Sequence, residues 1–303
     1  MSRGAAIGRL RHRVGEAIAS RALWVSGDRV AVAVSGGLDS MCLLDLLIET
    51  RGWHGGQLSV VTVNHGGRDG SSADADLVQE VALRWKIPVH RADLHGLGSS
   101  EEALREARYQ VFESLDVDVI GLAHHRDDQA ETVLLQLLRG AGARGLGAMR
   151  WRRDRYVRPL LDVSRAELVD WAGHRQLTWA DDPSNHSPDY LRNRVRSEVM
   201  PLLEQLRPGA GVALARSAAN LAEDDAYLTS LGATEPPWPL AWFTESPRAL
   251  VRRSLAAKLG SSALVDAAMK VAAARAGAVQ IGQGRHLRVR AGYIVIDEDP
   301  HSH

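Results

Sequence analysis

A short apolar run, Val30-Ala31-Val32-Ala33-Val34, leads straight into Ser35-Gly36-Gly37-Leu38-Asp39-Ser40 and from there into Met41-Cys42-Leu43-Leu44-Asp45-Leu46-Leu47-Ile48. The first stretch has the length and β-branched content of a strand, and the last has the length of a helix. The same order returns at residues 58–64 before a helical stretch from about Asp74 to Trp85, and at 117–123 before a helix ending near Gly140. Strands that are apolar throughout, rather than on alternate residues, are covered on both faces. The chain is therefore expected to form an α/β fold, a parallel sheet sandwiched between helices.

Other signals place the boundaries. Ser99 with Glu102, and Ser164 with Glu167, have capping-box spacing, and Gly140 stands where a helix C-terminal glycine belongs. The stretch around Pro236, Pro237 and Pro239 lacks a helical period, which predicts a catalytic domain over residues 1–215, a linker over 216–245 and a small C-terminal α+β domain over 246–303. In that last part Ser246-Pro247 suits a helix start and Gly277 a helix stop, and residues 279–297 alternate as short antiparallel strands do.

Composition narrows the classes. No apolar run is long enough to span a membrane and the first residues carry no secretory signal, so a cytoplasmic protein with no membrane partner is expected. One cysteine, Cys42, cannot form a disulfide or a CxxC site within the chain and is expected to pack in the core. The 37 basic residues balance 37 acidic ones, yet Arg139, Arg144, Arg150, Arg152, Arg153, Arg155 and Arg158 cluster around a single acid, Asp154. Such a stretch can neutralise phosphates or simply be a solvated surface. On the first reading, alanine at Arg152, Arg153 and Arg155 together weakens binding to a nucleic acid.

The glycine turn is the most specific feature. Two glycines after a strand let the backbone approach an anion, successive N–H groups can converge on it, and the following helix N-terminus favours negative charge. Ser35 and Ser40 add hydroxyl donors. It lacks the lysine of a Walker A loop.

Ser35-Gly36-Gly37-Leu38-Asp39-Ser40 instead resembles the pyrophosphate loop of the N-type ATP pyrophosphatases, whose fold is adenine nucleotide alpha-hydrolase-like. Further blocks narrow the resemblance: Val63-Asn64-His65-Gly66; Glu102-Ala103-Leu104-Arg105-Glu106-Ala107-Arg108-Tyr109; His124-His125-Arg126-Asp127-Asp128-Gln129-Ala130-Glu131-Thr132; Arg158-Pro159-Leu160-Leu161; and Trp179-Ala180-Asp181-Asp182-Pro183-Ser184-Asn185 with Tyr190, Arg192, Asn193 and Arg196. Their order and spacing over residues 28–205 are similar to the tRNA(Ile)-lysidine synthase family, with Gly67 and Leu104 as departures. Residues 245–297 resemble that family's first C-terminal domain more weakly, and the further C-terminal domain of longer members is expected to be missing.

The resemblance implies ATP as co-substrate, with Mg²⁺ held by Asp39, and L-lysine and an isoleucine tRNA with a CAU anticodon as partners; it leaves room for a homodimer. It implies that residues 35–40 with Asn64 and His65 bind the nucleotide. Asp39, Arg105, Arg108, His124, Asp128 and Glu131 are then catalytic candidates, and Asp128, Glu131, Arg192, Asn193 and Arg196 substrate-binding ones. In particular, Asp128 and Glu131, neighbours on one helix face, are expected to hold the ammonium groups of lysine or else to favour the helix N-terminus. Arg105 and Arg108 are expected to stabilise phosphate charge or else to form surface ion pairs. A tRNA thiolation enzyme using the same activation, an amide ligase and a non-catalytic nucleotide or tRNA binder are the competing readings.

Overall fold

In the computed structural model, residues 3–64, 71–94, 101–181, 190–232, 235–259, 262–282 and 285–298 are described. The chain divides into two units, Met1–Asn220 and Leu221–His303.

The first unit is built on β1 (Arg29–Ala33), whose three middle residues are buried. On one side β1 pairs in parallel with β2 (Gln57–Asn64), which pairs in parallel with β3 (Val89–Asp93). On the other it pairs in parallel with β4 (Val119–Gly121), followed by β6 (Tyr156–Val157), also parallel, and β5 (Arg152–Arg153), antiparallel. The order β3-β2-β1-β4-β6-β5 reverses direction between β1 and β4. Parallel α/β sheets open a ligand crevice at the carboxyl ends of the strands at such a reversal.

Both sheet faces are covered, as the unbroken apolar strands require. Val30 and Val32 face a core shared with α1 (Arg3–Ser20), α2 (Leu38–His54), α3 (Ser71–Arg84) and α7 (Arg165–Arg175) through Leu10, Val14, Leu43, Leu47, Val78 and Trp171. Ala31, Val61, Ile120 and Tyr156 face Phe112 of α4 (Glu101–Glu113). The parallel-sheet sandwich is thus present, with its long central helix α2 sealed beneath α1 and α7.

The capping box at Ser164 and Glu167 starts α7, with Ser164 Oγ accepting from the Glu167 N–H at 3.2 Å and Glu167 accepting from the Ser164 N–H at 2.9 Å. The one expected at Ser99 lies outside the described residues. Gly140 takes φ +72° just after α5 (Arg126–Leu138) and its N–H bonds to the Leu137 carbonyl. Strands β3, β5 and β6 were not foreseen. β3 reads Val-His-Arg-Ala-Asp, polar because it is an edge strand, and β5 and β6 are too short for any periodicity.

The second unit has its own antiparallel sheet, β7 (Trp238–Pro239), β10 (Tyr293–Glu298), β9 (Arg285–Arg290) and β8 (Ala278–Gly282) in that order. It packs on α11 (Leu240–Glu245), α12 (Arg248–Leu259) and α13 (Ser262–Ala274) around Trp238, Val251, Leu255, Ala268, Leu287 and Ile294. Residues 216–245, expected to be a linker, differ from that expectation. They hold the end of α10 (Ala210–Ser230), β7 and α11, and Trp238 is among the most deeply buried residues of the second core. The prolines break helical periodicity without making a linker, because Pro239 sits on an edge strand where no ladder N–H is needed.

Candidate functional site

The two segments leaving β1 and β4 at the sheet's reversal carry the site. After β1, Gly36 takes φ +88°, and a Cβ there would lie 3.3 Å from the Asp74 carbonyl oxygen, so both backbone angle and space demand glycine. Gly37 caps α2 in an extended conformation and supplies no side-chain acceptor to the first helical turn. The turn is braced from within by the Ser40 hydroxyl, which donates to the Gly37 carbonyl at 2.9 Å and accepts from the Ser35 N–H at 3.2 Å. The Ala180 N–H donates to the Gly36 carbonyl at 2.9 Å, docking the Trp179-Ala180-Asp181 segment on the loop. Leu38 begins the buried face of α2, so it anchors the loop through packing.

After β4, His125 rather than His124 is the structural keystone. It is 1% exposed and caps α5, its Nδ1 accepting from the Asp128 N–H at 3.4 Å while Asp128 accepts from the His125 N–H at 3.0 Å. With Nδ1 an acceptor, the ring proton sits on Nε2, which points between Asp39 Oδ2 at 3.6 Å and Asp128 Oδ2 at 3.5 Å. His125 therefore stands between the helix after β1 and the helix after β4, its Nε2 within ion-pair reach of both carboxylates but without a hydrogen bond among the described residues. Burial lowers its pKa, but Asp39, Asp128 and Asp127 outweigh that and raise it. Its position three residues before Asp128, a capping-box interval, was the sequence signal for this role. His124 behaves oppositely: burial first, against the pull of Asp128 and aided by Arg158, Arg192 and Arg105, brings its pKa down to about 4.

Asp128 and Glu131 are brought together, 8% and 2% exposed, but the structure gives both to arginines. Arg192 donates to Glu131 at 2.9 Å and Asp128 at 3.1 Å; Arg196 donates to Glu131 at 2.6 Å and Asp128 at 2.9 Å. The two carboxylates, expected either to hold ammonium groups or to favour the helix N-terminus, here form a charge-balanced quartet with Arg192 and Arg196. An ammonium group can enter only by displacing or sharing with a guanidinium. Burial would raise the Asp128 pKa, but His125, Arg192, His124 and the His125 N–H together lower it.

The arginines come from α8 (Leu191–Arg194) and a π-turn (Val195–Val199) that runs on into α9 (Met200–Leu206). Pro201 explains the π-turn: without an N–H and with a ring that crowds the carbonyl four residues back, it disfavours an α-turn there. The Met200 N–H reaches back to the Val195 carbonyl instead. Asn193, on the same segment, accepts a hydrogen bond from Ser197 at its carbonyl.

Arg105 and Arg108 are exposed on α4, and Arg105 stacks on Tyr109 with its guanidinium carbon 5.1 Å from the ring centre. Asn64 ends β2 and donates to Asp93 at 2.8 Å. His65 and Asp182-Pro183-Ser184-Asn185 lie outside the described residues. The arginine cluster divides. Arg152 donates to the carbonyls of Ala22 and Leu23, and Arg155 to those of Leu115 and Val117, so both fasten the fold rather than await a partner. Arg139, Arg144, Arg150 and Arg153 are exposed.

The residues present suit a nucleotide with a divalent cation. Asp39 Oδ1 is buried and accepts no hydrogen bond among the described residues, next to a helix N-terminus that favours anions. No cluster of three or more His, Cys, Asp or Glu able to hold a metal occurs among the described residues. A cation here would draw on Asp39 and phosphate oxygens, the habit of Mg²⁺.

Comparison with known proteins agrees. The family described as PP-loop domain matches residues 9–203. The chain is 41% identical over 228 residues to a tRNA(Ile)-lysidine synthase of Geobacter sulfurreducens, covering 70% of this chain and 48% of that protein. It is 42% identical over 221 residues to one from Pseudomonas aeruginosa, covering 70% and 50%. The chain thus spans about half the length of these relatives. Among solved structures, the U34-tRNA thiolase NcsA from Methanococcus maripaludis, described with its 4Fe-4S cluster, shares the fold at a TM-score of 0.61 and 20% identity, over 74% of this chain and 80% of that one. With the glycine turn, the sheet reversal and the family match coinciding on the same residues, the chain belongs to the PP-loop family, and within it is similar to the tRNA(Ile)-lysidine synthases.

Proposed function

We propose that the protein ligates L-lysine to C2 of the wobble cytidine of a CAU-anticodon isoleucine tRNA at the expense of ATP, in the cytoplasm. The observation that carries this is the juxtaposition at one sheet reversal of a phosphate-accommodating turn at Gly36 with the buried Asp128–Glu131 site, with His125 between them. The cytidine O2 attacks the α-phosphorus, the bond to the bridging oxygen breaks and pyrophosphate leaves. An amino group of lysine then attacks C2, the C2–O bond breaks, AMP leaves and the amine loses a proton. A pyrimidine oxygen is a poor leaving group and AMP a good one, which is why activation must come first.

The backbone at Gly36 and Gly37 and the N-terminus of α2 bind the phosphates, and Asp39 would hold Mg²⁺, which offsets the charge developing between the phosphates. Arg105 and Arg108, exposed on α4, supply positive charge toward the transferring group. Asp128 and Glu131 draw the lysine ammonium group, and Arg192 and Arg196 yield to it. The first unit does the chemistry, and residues 246–303 serve tRNA binding. Delivery of sulfur instead is disfavoured by Cys42, which is buried, donates to the Leu168 carbonyl at 3.4 Å, and has its thiol pushed up to about 12 by burial and by Asp39 and Asp45.

The test is AMP and pyrophosphate release from ATP with and without L-lysine and the CAU transcript. Release that responds to both is expected, and release indifferent to both refutes the assignment. Asp39→Ala should lose at least roughly a hundredfold in AMP transfer with an unchanged melting curve; a wild-type rate would remove Asp39 from the phosphate site.

A further inference from the structure

Arg158 follows β6 and is 7% exposed, yet among the described residues no carboxylate pairs with it. Its Nη1 donates to the Arg150 carbonyl at 2.8 Å, and its buried Nε has no hydrogen-bond partner among the described residues. By contrast, Arg175 meets Asp45 at 3.0 Å and Arg253 meets Asp225 at 2.7 Å. A guanidinium removed from water without a counter-charge is costly, so a protein that keeps one beside a binding crevice has placed it for an anion.

Its surroundings say where that anion lies. Strand alternation puts Arg158 on the face of Tyr156, against which α4 lays Tyr109 with ring centres 5.0 Å apart. One turn earlier on α4, Arg105 stacks on Tyr109, so a second guanidinium extends along the same face. His124, leaving the neighbouring strand β4, has a buried Nδ1 with no partner among the described residues. Beyond His124, on α5, stand Asp128 and Glu131. In strand order Arg158 is two strands, about 10 Å, from the phosphate turn after β1, with the β4 segment between them. Burial, with Arg153 and Arg105 and against Tyr109, also lowers the Arg158 pKa, the direction expected of a cation lacking its anion.

We infer that Arg158 receives the α-carboxylate of the amino-acid substrate whose ammonium end is drawn to Asp128 and Glu131, so that the crevice selects a zwitterion. The inference rests on the ligase reading above and names the specificity element within it. Arginine's planar fork suits a carboxylate through two parallel hydrogen bonds. The ATP phosphates have their own cradle on the far side of β4.

The experiment compares L-lysine with L-lysinamide, which keeps both amino groups and lacks the carboxylate, in AMP release with the CAU transcript. Wild-type protein is expected to favour lysine by roughly 100-fold in kcat/KM, and Arg158→Gln to reduce that preference to below about tenfold, chiefly through KM for lysine. Arg158→Lys, which keeps the charge but not the fork, should fall between them. Equal use of lysine and lysinamide by the wild type overturns the inference, as does an undiminished preference in Arg158→Gln. A variant whose only defect is a raised KM for ATP or tRNA also overturns it, by making the anion a phosphate. If Arg158→Gln does not fold, the wild-type and Arg158→Lys ratios decide. A wild type whose AMP release ignores lysine altogether overturns the ligase reading first, and this inference with it.

Discussion

Gly36 shows how little freedom a single residue has at the phosphate turn. At φ +88° an L-side chain costs about 1–2 kcal/mol in backbone strain alone, and its Cβ would press on the Asp74 carbonyl at 3.3 Å. Gly36→Ala is accordingly expected to lower stability by about that amount and to weaken ATP binding at least tenfold by calorimetry; binding at wild-type strength would move the nucleotide elsewhere. His124 and His125 form an opposed pair. His124 stays neutral in the fold down to about pH 4, whereas in the unfolded chain it takes up a proton near 6.5. The unfolded state therefore binds more protons in that window, and stability falls as pH drops through it, by at most about 3 kcal/mol. His125 has a raised folded pKa, so its contribution is present at low pH and lost as pH rises through that value. His124→Gln should flatten the loss between pH 6.5 and 4 in urea unfolding, and a variant as acid-sensitive as the wild type would show that another group sets the slope.

At the scale of elements, the helix from Leu191 to Leu206 is interrupted by a π-turn just before Pro201. The π-turn at Val195–Val199 changes the angular offset between Arg192 and Arg196, and both guanidiniums reach the same two carboxylates. Pro201→Ala restores the missing N–H and lets the turn anneal to α-helix. Its expected signature is an unchanged or higher melting temperature with lysine-dependent turnover reduced about tenfold. Turnover that rises or holds with the added stability would show that the π-turn is not what aims the arginines. Element α5 makes the complementary point: its first turn is held by His125 and its carboxylates by Arg192 and Arg196, so one short helix ties the exit of β4 to a segment 61 to 65 residues further along the chain.

For the molecule as a whole, the formal net charge is zero, and electrostatic attraction for a polyanion must come from where arginines stand. With Arg152 and Arg155 committed to backbone carbonyls, the contribution falls to the exposed members of the cluster. Alanine at Arg139, Arg144 and Arg150 together should reduce the slope of log affinity against log salt for the tRNA by about one per arginine, leaving ATP affinity within twofold. The same substitutions at Arg152 and Arg155 should instead lower the melting temperature. An unaltered salt slope in the first variant would place the tRNA contact elsewhere. No helix among the described residues is long and apolar enough to cross a membrane.

The local sequence by itself determined the three central strands, the glycine turn, the Ser164 capping box and the helix stop at Gly140, because each depends on periodicity, backbone sterics or capping within a few residues. The family resemblance, in turn, pointed to Asp128, Glu131, Arg192 and Arg196 as candidates. What the sequence could not convey is that these four neutralise one another, that His125 and not His124 stands between the two helices, that Arg158 is buried with no carboxylate paired to it among the described residues, or that Trp238 anchors a core where prolines suggested a linker. Those facts belong to the tertiary structure because charge pairing and burial arise between segments that chain distance keeps apart. Only the order in which the strands assemble decides which side chains share a crevice.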